Sequence, residues 1–179
     1  MPEMLRATRP ADIDSVVVLA HEIWNVHFVP IIGQEQVDYM LAKFQSAPAI
    51  TRQIADGYEY YIVVDNDHRA GYFAIVPDPL ASSAQLSKIY VRQEQRGGGL
   101  GKAIIAFVEE HCIEIGIREL WLTVNRRNEG PIAFYRHMGF TKRESLVQDI
   151  GNGFVMDDYR MVKMIDRQDI EDNAEENRR

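Results

Sequence analysis

The feature that most constrains this chain is a strand that leads through three consecutive glycines into a helix. Residues Ser87–Val91 suit an extended strand, Gly97, Gly98 and Gly99 follow it, and apolar residues recur at helical spacing from Leu100 onward. Glycine lets the backbone turn sharply and lie close to a ligand. Unpaired N–H groups at a helix start favour negative charge. The stretch therefore predicts a phosphate or pyrophosphate site, with a ligand-free flexible turn as the alternative.

Composition limits the class of protein. The chain has 179 residues, of which 46% are hydrophobic and 26% charged, and this indicates a globular domain with a sizeable core. We expect one domain over residues 1–165, followed by a charged and flexible tail over residues 166–179. Because Cys112 is the single cysteine, no internal disulfide can form, which fits a reducing cytoplasm.

Charge and motif content argue against several partners. The net charge of −7 argues against a nucleic-acid surface and favours small cationic partners. No stretch has the apolar length of a signal peptide or a transmembrane helix, so we expect a cytoplasmic protein without a membrane partner. No group of His, Cys, Asp and Glu has the spacing of metal ligands, so we expect no metal.

Periodicity predicts an α/β (α+β) domain with a mixed sheet. The predicted helices are Pro10–Trp24, Gln34–Phe44, Ile50–Ala55, one that runs from Leu100 and stops at Gly116, and one that follows Asn128 and ends at Gly139. The predicted strands are Leu5–Thr8, Tyr58–Asp65, Ala70–Val76, Gln85–Val91, Glu119–Val124, Phe140–Ile150 and Phe154–Ile165. The strands on either side of the central helix should pair in parallel, because a helical crossover joins them. Trp24–Ile32 is interpreted as an aromatic, proline-containing loop.

The glycine loop departs from two common nucleotide-binding motifs. A Walker-type loop requires Ser or Thr directly after Lys102, and the chain has neither there. A dinucleotide fingerprint requires an acid at the end of the next strand, which ends at Val124 without one. The pattern that fits is Arg/Gln-x-x-Gly-x-Gly/Ala, met by Arg96, Gly99 and Gly101.

A second motif follows at Asn128–Phe140, with the sequence Asn-Glu-Gly-Pro-Ile-Ala-Phe-Tyr-Arg-His-Met-Gly-Phe. With both motifs in this order and spacing, the chain resembles the GNAT superfamily of acetyl-CoA-dependent N-acetyltransferases over about residues 5–163. The resemblance implies a mixed, mostly antiparallel central sheet with splayed middle strands, flanked by helices. It also implies acetyl-CoA as co-substrate, with the pantetheine arm in the cleft between those strands.

The resemblance also implies a cofactor site. Backbone groups of the strand would bond to the acetyl and pantetheine amides like an added strand, and amides of the loop would hold the pyrophosphate. Arg96 and Lys102 would add charge or are solvated surface residues. Asn128 matches a position on the pantetheine side, and capping of the next helix is its alternative or additional role. The implied cofactor-binding residues are Ile89, Tyr90, Val91, Arg96, Gly97, Gly98, Gly99, Leu100, Gly101, Lys102, Asn128 and Tyr135.

Tyr135 is the candidate catalytic residue. It matches the family tyrosine that faces the leaving thiolate sulfur and can protonate it. The alternative is a core tyrosine on an apolar helix face. The positions that match the family's glutamate base are Gln85 and Thr123, neither of which accepts a proton usefully.

Two stretches are candidates for contact with the amine acceptor. Trp24 and Phe28 are candidates for an aromatic wall that binds an amine by cation–π contact, and His27 lies near a segment that borders the acceptor site by resemblance; ordinary core or loop packing is the alternative for all three. Asp157–Tyr159 is interpreted as a solvated strand end, with a surface facing a cationic acceptor as the alternative.

The predicted activity is acetyl transfer from acetyl-CoA to a primary amine by direct attack. The expected acceptor is a small, polyamine-like cationic molecule. Two alternatives stay open: acetylation of a peptide or protein N-terminus, and a non-catalytic acyl-CoA-binding sensor. Family members often pair through exposed strands, so a homodimer is compatible with the sequence.

Overall fold

The computed structural model describes residues 1–166, so residues 167–179, which hold most of the predicted tail, lie outside the described chain. The helices are α1 (Pro10–His27), α2 (Val29–Ile32), α3 (Gln34–Phe44), α4 (Ala47–Ala55), α5 (Leu100–Glu114) and α6 (Glu129–His137). The strands are β1 (Glu3–Arg6), β2 (Glu59–Asp65), β3 (His68–Asp78), β4 (Ser83–Val91), β5 (Glu119–Asn125), β6 (Thr141–Gly151) and β7 (Phe154–Met164). None of these helices combines the length and apolarity that a membrane crossing requires.

The strands form one mixed sheet in the order β1-β2-β3-β4-β5-β7-β6. The pairs β1–β2, β2–β3, β5–β7 and β6–β7 are antiparallel, and β4–β5 is parallel. The parallel ladder runs only from Ser83↔Glu119 to Gln85↔Trp121, although β4 continues to Val91. The predicted mixed, mostly antiparallel sheet flanked by helices is therefore confirmed. A ladder that ends this early is the pairing expected of splayed middle strands.

One compact unit comprises residues 1–76 and 87–104. Its core is closed by a buried chain of hydrogen bonds: Trp24 Nε1 donates to the Tyr72 hydroxyl at 3.2 Å, and that hydroxyl donates to Gln45 Oε1 at 3.1 Å. Because each polar group finds a partner, the aromatic side chains can be buried without an unsatisfied donor. The large side chains fully buried here include Leu19, Leu41, Ile50, Tyr60, Tyr72, Phe73, Ile75 and Ile104.

Within this unit the backbone passes very close to Gly71 of β3. A Cβ atom added at Gly71 would lie 2.1 Å from the carbonyl oxygen of Tyr90 and 3.0 Å from the Cα atom of Val91. Beside this point the N–H of Arg92 donates to the carbonyl of Ala70 at 2.8 Å. A glycine in a strand commonly marks such a close backbone approach, and here it lets the end of β4 lie against β3.

The second compact unit comprises residues 77–86 and, within the described chain, residues 105–166. Alternate residues of β5 are buried, namely Leu120, Leu122 and Val124. The intervening residues of β5 are only half-buried, so one face of this strand belongs to the core and the other does not. On the core side a buried ion pair joins Glu109 of α5 to Lys163 of β7.

The prediction of a loop at Trp24–Ile32 is wrong, because α1 continues to His27 and α2 covers Val29–Ile32. Pro30 lies in the first turn of α2, where a missing N–H removes no helical hydrogen bond. The helix predicted to begin at Ile50 begins earlier, at Ala47, because Ser46 accepts a capping bond from the Ala49 N–H at 3.4 Å.

Candidate active site

The glycine loop connects the end of β4 to α5 and leaves open space above its backbone. Gly97 and Gly99 have φ values of +84° and +83°, which side chains of L-residues rarely adopt. A Cβ atom added at either position would have no described atom within 4 Å. At Gly98 the nearest atom would be the Gln95 carbonyl oxygen, 3.8 Å away. Internal packing therefore does not fill the space that the three glycines leave.

Helix α5 presents its first turn to this space. The N–H of Ala103 donates to the Gly99 carbonyl at 3.0 Å and closes the first helical turn. The amides of Leu100 and Gly101 precede that bond, in the part of a helix where N–H groups have no intrahelical acceptor. Such amides, together with the helix dipole, favour an anion.

The Arg96 side chain is held by contacts with Val91 and His27. Its Nε donates to the Val91 carbonyl at 3.0 Å, and its Nη1 lies 3.1 Å from Nδ1 of His27. Burial of the guanidinium lowers the pKa of Arg96, while the charge of Glu94 acts in the opposite direction. The side chain therefore ties the end of β4 to the last residue of α1.

The three predicted acceptor-side residues lie together around Tyr90. The ring centroids of Trp24 and Phe28 lie 5.4 and 5.8 Å from that of Tyr90, and His27 stacks edge-on against Phe28 at 4.8 Å. Trp24 is only 4% exposed and its Nε1 donates to the Tyr72 hydroxyl within the core, so it supports this aromatic group from the core side. His27 and Phe28 are half-buried and are the members of this group that a ligand can reach.

Lys88 is a residue of this region that the sequence analysis did not single out. It is 8% exposed, its Nζ donates to Gln53 Oε1 at 3.2 Å, and it lies 5.1 Å from the ring centroid of Tyr58. Burial lowers the pKa of Lys88 to about 8. The signal for its burial was the alternation on β4, where Ala84 and Leu86 precede it on the same face.

Tyr135 of α6 is buried, with 7% of its surface exposed. Its ring packs at 5.5 Å from Phe134 and 5.8 Å from Phe140, measured between centroids. Among residues 1–166 its hydroxyl forms no hydrogen bond, and it is not one of the side-chain atoms that are buried without a partner, so the oxygen is still accessible from outside. Burial raises the pKa of Tyr135 well above its usual value, so the phenol stays protonated and can donate.

Asn128 precedes the first turn of α6 and is 6% exposed. Its backbone carbonyl accepts from the Ile132 N–H at 3.1 Å, and its N–H donates to the Asn125 carbonyl at 2.9 Å. Its side chain makes no capping hydrogen bond to the described part of the helix. A capping hydrogen bond therefore does not explain why the amide side chain of Asn128 is buried.

The compact unit of residues 1–76 and 87–104 holds the glycine loop and the aromatic group, and Asn128 and Tyr135 belong to the second unit. Gln85 and Thr123, the positions that match the family's base, are half-buried. In the part of the chain that the structure describes, no three His, Cys, Asp or Glu side chains are grouped closely enough to hold a metal ion.

Comparison with known proteins identifies the family. Residues 20–140 match the family model described as Acetyltransferase (GNAT) family. An uncharacterized N-acetyltransferase of Lactobacillus delbrueckii subsp. lactis is 26% identical, over 79% of this chain and 86% of that protein. Spermidine N(1)-acetyltransferase of Thermoplasma acidophilum is 23% identical, over 82% of this chain and 90% of that protein.

Solved structures agree in fold. The crystal structure of PaiA N-acetyltransferase from Thermoplasma acidophilum in complex with coenzyme A matches with a TM-score of 0.73 and 21% identity, covering 92% of this chain and 99% of that one. An acetyltransferase from Rhodopseudomonas palustris, described as GCN5-related, matches with a TM-score of 0.76 and 14% identity, covering 92% of this chain and 96% of that one.

Proposed function

Because this chain belongs to the GNAT family of acetyltransferases, we propose that it transfers the acetyl group of acetyl-CoA to a small cationic amine. The observation that carries the proposal is the hydroxyl of Tyr135: the ring is buried, but the oxygen has no partner among residues 1–166 and is not closed off from solvent. This hydroxyl is therefore available to donate to a ligand atom, which we take to be the sulfur as it leaves the acetyl group.

The cofactor is proposed to bind along β4 and over the glycine loop. Backbone groups of Ile89 and Val91 would bond to the acetyl and pantetheine amides, beyond the point where the ladder with β5 ends. Amides at the start of α5 would bind the pyrophosphate, in the space above Gly97–Gly99. Since Arg96 is already engaged by Val91 and His27, the backbone supplies most of the recognition.

The chemistry is an addition followed by an elimination. The amine nitrogen bonds to the acetyl carbonyl carbon, the bond from that carbon to sulfur breaks, and the amine loses a proton while the thiolate gains one. Tyr135 would donate a hydrogen bond to the departing sulfur, because burial raises the pKa of this phenol and keeps its proton in place; the proton that the thiolate gains balances the one that the amine loses. No carboxylate occupies the positions that match the family's base, so proton loss through ordered water fits best.

The preference for a cationic acceptor has two supports. The chain carries a net charge of −7, which attracts small cations over long range. A similar protein is named for acetylation of spermidine.

A panel of acceptors tests this assignment. Polyamines, aminoglycosides, amino acids and peptides are each incubated with acetyl-CoA, and release of free CoA is measured. We expect the highest kcat/KM for polyamines. Turnover with peptides alone would contradict the proposed acceptor, and tight CoA binding without acetylation of any amine would favour the sensor alternative.

Gly98→Ala tests the cofactor loop without disturbing the fold. The φ of Gly98 lies outside the positive range, and an added methyl group meets nothing closer than 3.8 Å. We therefore expect an unchanged melting temperature, with a KM for acetyl-CoA raised about tenfold because the methyl group intrudes on the ligand. Gly130→Ala, whose added Cβ also has no described atom within 4 Å, is the matched control. An unchanged KM for Gly98→Ala would contradict binding over this loop.

A further inference from the structure

Asp158 is a buried carboxylate in the middle of β7. In the sheet register it lies directly opposite Asn125 of β5 on one side and Leu146 of β6 on the other. Only 8% of its surface is exposed, so the interpretation of this stretch as a solvated strand end is wrong for Asp158. Within residues 1–166 its side chain forms no hydrogen bond and no ion pair.

The charged groups around Asp158 do not compensate its charge. Asp157 beside it is paired with Arg126, whose Nε lies 2.7 Å from Asp157 Oδ1. Arg160, two residues along the strand, lies 3.4 Å from Glu144 and stacks 4.3 Å over the Trp121 ring. The cross-strand neighbours Asn125 and Leu146 are neutral.

This environment is costly for an ionised group. Burial, and secondly the charge of Asp157, raise the pKa of Asp158 to about 6. Above that pH Asp158 carries a negative charge that is largely withdrawn from water and has no ion-pair partner among residues 1–166, and such charges in proteins are normally paired. An external cation is the group that would balance it.

We propose that Asp158 binds a second, non-reacting ammonium group of the acceptor, and this proposal rests on the acetyltransferase function proposed above. Asn125, the neighbour of Asp158, is the last residue of β5. Asp158 therefore lies on β7, the strand next to β5, at a level two residues further along β5 than Thr123. Thr123 is one of the positions that match the family's base. The substrate class that fits is a diamine or polyamine whose far end pairs with this carboxylate.

The test compares a linear diamine with the monoamine of the same carbon chain, using Asp158→Asn in the full-length protein. Asparagine keeps the shape and removes the charge. We expect the KM for the diamine to rise about 10- to 100-fold. For both amines kcat should stay within about twofold, and so should the KM for the monoamine. The melting temperature should not fall, because an unpaired buried charge has been removed.

Asp157→Asn is the matched control, since it removes the same unit of charge one residue away from a carboxylate already paired with Arg126. Its effect on the diamine KM should stay below about threefold. An equal effect of both variants would overturn the contact with Asp158. A fall in kcat for both amines with Asp158→Asn would also overturn it, because that residue would then act on the reacting group.

Calorimetric binding of the diamine to the protein saturated with CoA separates the two proposals. If the wild type binds the diamine and Asp158→Asn binds it at least tenfold more weakly, the Asp158 site stands even without turnover. If the wild type acetylates amines but Asp158→Asn binds the diamine normally, the Asp158 proposal fails and the proposed function stands. Wild-type affinity should also weaken between pH 7.5 and 5, because the carboxyl becomes protonated below its pKa of about 6.

Discussion

We expect the Tyr135→Phe variant to have a kcat about 10²- to 10³-fold lower than that of the wild type. The substitution removes one hydroxyl and leaves the ring in its contacts with Phe134 and Phe140. Because this hydroxyl has no partner among the described residues, its loss should leave the free energy of unfolding unchanged or slightly raised. Steady-state rates and a denaturation curve on the same preparation measure both quantities.

Tyr61→Phe is the matched control for Tyr135→Phe. Tyr61 is also buried and stacks on Phe73 at 5.0 Å, but its hydroxyl donates to Glu59 at 3.2 Å. We expect its kcat within about twofold of wild type and a small loss of stability, about 1 kcal/mol. Affinity for acetyl-CoA should be the same in both variants. If Tyr135→Phe kept full kcat, a proton donor other than Tyr135 would have to serve the leaving thiolate.

Gly71→Ala should destabilise the protein by about 3 kcal/mol, because the new methyl group must displace backbone. A Cβ atom 2.1 Å from the Tyr90 carbonyl cannot be accommodated by a side-chain rotation. For a protein of this size the loss corresponds to a melting temperature lower by about 6–12 °C. Activity should fall as well, since the displaced backbone belongs to the strand proposed to hold the acetyl group.

Gly130→Ala again supplies the comparison for Gly71→Ala, now as a stability control. Its Cβ would meet no described atom within 4 Å, and alanine is favoured over glycine in a helix by up to about 1 kcal/mol. The two glycine variants should therefore move the melting temperature in opposite directions. A Gly71→Ala protein as stable as wild type would contradict the close approach of β3 to β4.

Features with a local cause were predictable from the sequence. The glycine loop depends on the conformation of Gly97 and Gly99 and on the start of one helix, and these follow from adjacent residues. The order of strands and helices followed from periodicity in the same way. The segment Trp24–Ile32 was mistaken for a loop because its proline and aromatic residues suggested irregular backbone. Proline is nevertheless tolerated in the first turn of a helix.

Features that depend on distant residues were not predictable. Gly71 lies within a strand in the sequence, and only the approach of Tyr90 explains why it carries no side chain. The engagement of Arg96 joins residues 69 positions apart, from His27 to the loop. The burial of Asp158 without a partner likewise needs the sheet register, since the sequence shows only two neighbouring acids.

The interleaving of the two compact units has a consequence for synthesis on the ribosome. A nascent chain that has emerged up to residue 76 already contains the sequence of α1 to α4, yet the unit to which they belong also includes residues 87–104. We therefore expect this unit to complete its fold only after the last part of β4, the glycine loop and the start of α5 have emerged. A fragment that ends before the last part of β4, at Leu86, would lack Tyr90, which packs against Gly71 and Trp24. The segment proposed to hold the cofactor is thus also the one that completes this unit during biogenesis.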